Sequence, residues 1–386
     1  MKNKFNLINR YPVILGVALL VISTFICWRV FLSYGIASIY YFSIVIYLVC
    51  VPLFLVGAYK YRDRKAFSII LLTSASLIFV LACFDFYLIT FNYDTSGPGG
   101  KYVITHCNWY NSYVSNNEWG FWERSIAEFN NPPERKDQIV IAVVGDSFTW
   151  GQGIKGKKFR FTERLEKKLN STSGGKKVSV LNFGRGGADT LQEIEIVNKF
   201  LSKIHPDMVL LCYLSNDILF KCGLEDYDKT WERLSTIIPT VNLIYWRLVS
   251  SVTFKDVGRK YMEIIVNSYN DADTFKKHMH DLQIFFTDAR RIGAKPVFVL
   301  LPFRQMWQLF PEETRDDIYN RIKKSVKLDG VPVIDLTYIE KKYTLDDFVV
   351  NAFDAHPNEN IHEEFAEAIY SWLSQNKEYK QLLDKK

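Results

Sequence analysis

The side chains able to do chemistry stand at a few points of this 386-residue chain. Ser147 closes the run Ile139-Val-Ile-Ala-Val-Val-Gly-Asp-Ser147, where an apolar strand gives way to a turn. A hydroxyl there becomes a nucleophile when a base lies within hydrogen-bond reach and a third group orients that base. His356, in Phe353-Asp-Ala-His-Pro-Asn358, is a candidate base, and Asp354, two residues earlier, can orient it. Negative charge developing on a substrate needs donors. Asn182-Phe-Gly-Arg-Gly-Gly-Ala-Asp-Thr190 has glycines at 184, 186 and 187, which let backbone N–H groups come close to a ligand. Asn216, in Leu214-Ser-Asn-Asp217, brings two amide donors, and Asp217 can brace its loop. Each segment also has a plain structural reading. Gly-Asp-Ser makes an ordinary strand-to-helix turn with a good N-cap residue, and the glycine stretch makes a flexible loop. A lone His before a helix is more often a surface residue than a catalyst.

Other patterns carry less. Gly151-Gln-Gly-Ile-Lys-Gly156 satisfies the spacing of a phosphate cradle, but its first glycine lies seven residues past the strand end. The Walker-type version of the same stretch has Lys158 where a magnesium-binding Ser or Thr belongs, which argues against nucleotide binding. His278 and His280, two apart on a helix, do not share a face and do not suggest a metal site. Arg185 reads as a solvated loop charge sooner than as a substrate contact, Phe148 and Trp150 as pocket lining or packing, and His362 as a packing or capping residue. Six cysteines show no CxxC spacing, so no zinc site is implied; a Cys107–Cys222 bridge stays open, and Cys212 falls in a core strand.

The elements that must position these residues follow a strand–helix alternation from Gln138 onward, the pattern of a parallel sheet. Strands are expected at Ile139–Val144, Val178–Phe183, Met208–Tyr213, Pro296–Leu301 and Val331–Ile334. Helices are expected at Arg160–Leu169, Leu191–Ile204, Asp273–Ile292, Glu312–Leu328 and Glu359–Gln375. Residues 218–270 are too long for a simple crossover and read as an insertion near the site, or as a surface leaning on a membrane. Residues 93–137 read as a Gly-rich linker followed by an aromatic-rich lead-in packed on a domain that spans 138–386.

Before that domain, residues 1–92 read as a membrane region. Three apolar runs, about 11–32, 36–56 and 67–90, each approach the ~20 residues that cross a bilayer. Up to Ala66 there are eight Lys or Arg and one Asp, a balance of +7 against +6 for the whole chain. The basic surplus therefore belongs to the membrane region and gives no argument for nucleic acid. Lys2, Lys4 and Arg10 precede the first run, and Lys60-Tyr-Arg-Asp-Arg-Lys65 joins the second to the third. The positive-inside rule puts both on the cytoplasmic side, which leaves everything after about Phe91 outside.

Taken together, Gly145-Asp-Ser-Phe, Asn182-x-Gly-x-x-Gly187, Asn216-Asp217 and Asp354-x-His356-Pro-Asn resemble the SGNH (GDSL) hydrolase superfamily, in that family's order, over about Gln138–Ser374. The resemblance implies a flavodoxin-like three-layer α/β/α sandwich with a five-stranded parallel sheet, here preceded by three transmembrane helices. It implies Ser147 as nucleophile, His356 as general base and Asp354 as the orienting acid. The oxyanion hole it implies combines the Ser147 and Gly187 N–H groups with the Asn216 amide, and it needs no metal or organic cofactor. Two positions depart from the family: Leu214 stands where a glycine is common, and Phe353 where the acid often lies. Asp346 and Asp347 are the alternative acids. The expected function is a membrane-anchored, exocytoplasmic serine esterase acting on an ester of an envelope glycan or lipid. An O-acyltransferase to a surface polysaccharide and a non-catalytic glycan-binding or assembly protein are the alternatives. Expected partners are that substrate and the bilayer of the inner or plasma membrane.

Overall fold

A computed structural model describes residues 38–91, 104–129, 138–219, 238–304, 310–351 and 354–384. The chain divides into two compact units, Met1–Tyr110 with Tyr227–Ser251, and Asn111–Asp226 with Val252–Lys386.

In the first unit, helix α1 (Ser38–Lys60) and helix α2 (Lys65–Phe91) pack against each other across the basic turn Tyr61–Arg64. Among the described residues α2 alone is long and apolar enough to cross a membrane; residues Ile46–Lys60 of α1 form a shorter apolar helix. At 1.5 Å per residue α2 is about 40 Å long, more than the ~30 Å of a hydrocarbon core. The expected run at 36–56 falls on α1 and that at 67–90 on α2, whereas the run at 11–32 lies outside the described residues. Apolar side chains of α2 stand exposed along its length, among them Ile69, Leu77, Val80 and Phe86. Asp85 is its buried exception.

In the second unit the elements run in chain order as follows. Strand β1 is Gln138–Gly145, helix α3 Ser147–Trp150 and helix α4 Phe161–Thr172. Strand β2 is Lys177–Gly184, helix α5 Thr190–Ile196 and strand β3 Met208–Tyr213. A long helix α6 (Pro239–Asn270) gives its last turns to this unit and leads to α7 (Ala272–Arg291). Strand β4 (Lys295–Leu300), helix α8 (Glu312–Leu328) and strand β5 (Val333–Asp335) complete the sheet. The hairpin β6 (Val349–Asn351) and β7 (Asp354–Pro357) opens into α9 (Glu359–Gln375).

The five main strands are parallel in the order β2-β1-β3-β4-β5. That order reverses direction between β1 and β3, and open α/β sheets bind ligands outside the carboxyl ends at such a switch point. Residues 139–145 of β1 and every residue of β3 are buried, as strands covered on both faces must be. Helices α4 and α9 pack together on one face, while α7 touches α5, β4 and α8 on the other, the arrangement right-handed crossovers dictate. Phe121, Ile126 and Phe129, from the aromatic stretch ahead of β1, lie in the same core as the sheet.

The expected strands and helices appear within a residue or two, apart from four details, the first being that α4 runs on to Thr172, three residues past the expected Leu169. The expected helix Leu191–Ile204 begins as α5 and passes through a π-turn at Val197–Leu201 before a last turn at Ser202–Ile204. The hairpin β6–β7 was not foreseen, because strands of three and four residues leave no period to read. The expected insertion at 218–270, to which no element was assigned, holds the 32-residue α6.

Candidate active site

Gly145 ends β1 in a space that admits no side chain. A Cβ there would lie 2.2 Å from Thr149 Oγ1 and 2.6 Å from the Cys212 carbonyl oxygen. Asp146 then caps the short α3, its carboxylate accepting the Phe148 N–H at 2.8 Å, and the chain turns out through Gly151 at φ +84°. Ser147 is therefore the first residue of a short helix mounted on the end of a fully buried strand. Gly184 makes the matching closure from β2: a Cβ there would lie 2.3 Å from the Trp150 nitrogen. Asn182 fastens the two turns. Its Nδ2 donates to the Thr149 carbonyl (2.7 Å) and to Thr162 Oγ1 (3.1 Å), and its Oδ1 accepts from Gly184 N–H (2.8 Å). Arg160, wholly buried below, donates to the Trp122 carbonyl at 2.7 Å and pairs with Glu163.

His356 reaches this turn from the β6–β7 hairpin, with its Nε2 at 2.8 Å from Ser147 Oγ. Its Nδ1 bonds Asp354 Oδ1, which also accepts the His356 backbone N–H at 3.1 Å. The carboxylate at Nδ1 fixes the tautomer, leaving Nε2 as the acceptor facing the serine hydroxyl. Asn358 fixes the hairpin to α9: its Oδ1 accepts from the Asn360 and Ile361 N–H groups, and its Nδ2 donates to the Asp347 carbonyl at 2.7 Å. The alternative acids are elsewhere. Asp347 takes the Thr344 hydroxyl at 2.6 Å on an exposed turn, beside the exposed Asp346. The departure at Phe353 lies outside the described residues.

Burial alone would lower the His356 pKa, but the charge and hydrogen bond of Asp354, joined by the charge of Asp146, hold it above its ordinary value. A more basic imidazole takes the serine proton more readily, at the cost of needing a higher pH to be free.

The donor side is built on β2 and β3. Gly187 is exposed on the loop after β2 at φ +71°. Asn216 lies in a 3₁₀ turn, Ser215–Ile218, directly after β3. Asp217 braces that turn by accepting the Leu214 N–H at 2.8 Å, and the Asn216 side chain hydrogen-bonds Asp146. Leu214 is itself buried, so the departure at this position adds a core side chain beneath the turn.

Two features of the site had escaped the sequence reading. One is a group of three buried carboxyls: Asp146, Asp217 and Glu193 of α5. Among the described residues neither oxygen of Glu193 has a hydrogen-bond partner. Burial first, then the charges of Asp146 and Asp189, push Glu193 well above the usual carboxylate range; burial and the Glu193 charge do the same to Asp217. Asp146 is pushed up to about 6 by burial, against hydrogen bonding from Phe148, the His356 charge and the Asn216 amide. The other is a relay of buried groups. His278 Nε2 lies 2.7 Å from the Tyr213 hydroxyl, which lies 2.5 Å from the Tyr269 hydroxyl, which donates to the Ser215 carbonyl at 3.0 Å. With Tyr269 donating to the carbonyl, Tyr213 must donate to Tyr269, and His278 must donate from Nε2. Burial depresses the His278 pKa to about 3, so the ring is neutral and its one proton is on Nε2. The turn carrying Asn216 is thus tied to α6 and α7.

The remaining candidates are structural. His362 is buried, accepts the Phe161 N–H at 3.2 Å and stacks on the Phe161 ring. Arg185 lies over the Phe121 ring on the exposed glycine loop. Gly151, first of the phosphate-cradle glycines, closes α3 instead. Cys212 is a buried free thiol, Cys50 and Cys83 are free on α1 and α2, and Cys222 lies outside the described residues. No group of three His, Cys, Asp or Glu residues suited to a metal occurs among the described residues.

A serine hydroxyl facing an imidazole that a carboxylate orients, at the switch point of a doubly wound parallel sheet, is an arrangement able to perform nucleophilic acyl transfer. Residues 143–364, more than half the chain, match the GDSL-like Lipase/Acylhydrolase family, and the chain belongs to that family. It is an ester hydrolase of the GDSL type. Similar solved structures include TesA, at 15% identity, a TM-score of 0.39 and coverage of 61% of this chain and 97% of that one. A lipase/acylhydrolase from Enterococcus faecalis is similar at 15% identity and a TM-score of 0.39, covering 61% and 95% of the two chains. The esterase EstA from Pseudoalteromonas sp. is similar at 12% identity and a TM-score of 0.39, covering 61% and 99%. No curated protein matches the sequence.

Proposed function

We propose that this hydrolase is a membrane-anchored serine esterase of the cell envelope, working through Ser147, His356 and Asp354. The observation that carries the catalytic part is the 2.8 Å contact between His356 Nε2 and Ser147 Oγ, with Asp354 on the opposite ring nitrogen. His356 takes the Ser147 proton as Oγ attacks the ester carbonyl carbon. The tetrahedral oxyanion accepts hydrogen bonds from the Ser147 and Gly187 N–H groups and the Asn216 amide. The imidazolium, steadied by Asp354, gives its proton to the leaving alkoxide as the C–O bond breaks, and an acyl-serine is left. Water then repeats the sequence, with His356 taking its proton and returning one to Ser147. A sugar hydroxyl in place of that water would make the enzyme an O-acyltransferase with the same residues.

The membrane part rests on α2, on the apolar residues of α1 and on the run at 11–32, read with the basic segment Lys60–Lys65. In this reading the chain crosses three times, and the hydrolase domain faces outward. Its substrate is an acyl ester of an envelope glycan or lipid, the esters within reach of that side.

The deciding experiment is a fluorophosphonate probe on the detergent-solubilised full chain. Wild type is labelled and Ser147→Ala is not; absence of labelling on folded wild type refutes Ser147 as nucleophile. With an acetylated glycan, release of free acetate marks the hydrolase, and transfer to an added glycan acceptor marks the transferase.

A further inference from the structure

Within the first unit Asp85 is the one buried carboxylate on the apolar α2, and its partners come from two other parts of the chain. The Tyr47 hydroxyl of α1 donates to Oδ2 at 2.8 Å. Thr240, in the first turn of α6, donates its backbone N–H to Oδ1 at 2.7 Å and its hydroxyl to the same oxygen. An acid on an apolar helix thus caps the N-terminus of α6 in trans and satisfies a backbone N–H that has no acceptor within its own helix. Leu243, one turn further on, packs on the buried pair Leu88 and Ile89, together with Ile44 of α1. The start of α6 therefore rises along the last turns of α2.

Its level relative to a bilayer follows from helix geometry. Asp85 lies twenty residues past Lys65, a rise of about 30 Å at 1.5 Å per residue, which is about the thickness of a hydrocarbon core. With the Lys65 ammonium out in the headgroup layer, the hydrocarbon begins a few residues into α2, so Asp85 and Pro239 lie just inside its far boundary and the turn of α6 beside Leu88 and Ile89 crosses it. From there Val241, Ile244 and Leu248, all exposed, fall within one narrow arc of α6, and Leu243, which meets α2, points away from them. No charged residue occurs between Pro239 and Trp246. Phe84, Phe86, Tyr87 and Phe91 of α2 are exposed at about the same level.

We propose that Pro239–Leu248 is a membrane-facing element, with Val241 and Ile244 in contact with lipid acyl chains and Leu248 at the headgroup level of the boundary distal to Lys65. The inference rests on the reading of α2 as a membrane span. The occupant is lipid because the stripe is apolar, exposed and uncharged at the level of exposed apolar residues of α2, which the proposed span sets against lipid.

The test uses the full chain in vesicles, with an environment-sensitive fluorescent amino acid placed genetically at Ile244, and in parallel at Val241. Val80 on α2 serves as the span control, and Lys260, further along α6, as the aqueous one. Each variant is first checked for wild-type thermal unfolding. Nitroxide-labelled acyl chains are expected to remove more than about half of the emission at Ile244, Val241 and Val80, with iodide ineffective there and effective at Lys260. Iodide quenching at Ile244 and Val241 with lipid quenching kept at Val80 overturns the inference alone. Iodide quenching at Val80 as well overturns the membrane reading beneath it. Resistance to both quenchers at Ile244 and Val241 means a protein cover, such as a second copy, and also overturns the lipid assignment.

Discussion

Asp354 does two things to His356, and they can be separated by pH. Its hydrogen bond fixes the tautomer, and its charge helps hold the imidazole pKa above the ordinary value. The base is active only when neutral, so the acid limb of the kcat/KM profile should lie above the unperturbed histidine value of about 6.5. Asp354→Asn removes the charge while keeping the shape. The expected result is a limb shifted to lower pH together with a kcat reduced by at least about 10²-fold. A pH–rate profile on a chromogenic ester measures both, and an unmoved limb would show that Asp354 does not set the base. The residue types at this site were readable in the sequence, since Ser147, Asn216, Asp354 and His356 each follow or precede a recognisable element. What could not be read was proximity: 209 residues separate Ser147 from His356, and only the folded sheet brings them to hydrogen-bond distance. Glu193 was hidden for a different reason. On α5 Leu191 points outward and Glu193 inward, the reverse of what an amphipathic pattern leads one to expect.

At the scale of elements, α5 pays for its place against β1 by carrying that glutamate into the core. Its N-terminus is well made: Asp189 accepts the Gln192 N–H at 2.9 Å, and the Gln192 side chain returns to the Asp189 N–H. The spacing Asp189-x-x-Gln192 is a capping box legible in the sequence. The carboxyl of Glu193 has a raised pKa in the fold, so the native state holds a proton the unfolded chain has released. Stability is then full below the unfolded value near 4.5 and falls as pH rises above it, by about 1.4 kcal/mol per pH unit while the difference persists. Glu193→Gln should unfold at the same temperature as wild type at pH 4 and at a higher temperature at pH 8. Calorimetry across that range decides it, and a wild-type pH dependence retained in the variant would rule Glu193 out as its source. The parallel sheet was legible because buried strands are long apolar runs; the hairpin under His356 was not, because its strands are too short to show a period.

At the scale of the whole molecule, the proposed three crossings put the hydrolase unit outside the cytoplasm, and that placement can be tested. Eight of the basic residues and one acid fall before Phe67, and the basic segment at Lys60–Lys65 directly precedes α2. A reporter that is active only in the cytoplasm, fused after Asp384, should be silent, and a periplasm-active or extracellular one should give signal. The opposite pair of results would overturn the three-crossing topology. The order of the catalytic groups along the chain bears on the same question. Ser147 is made early, His356 is carried by the hairpin that opens α9, and α9 packs on α4. Bringing such distant groups together costs on the order of 5 kcal/mol in loop-closure entropy, which only the assembled sheet can offset. On the proposed triad, Ser147 has no base until α9 has been synthesised and docked. The unfinished polypeptide is thus inert toward esters, and hydrolytic competence arrives only with the closing segment of the domain.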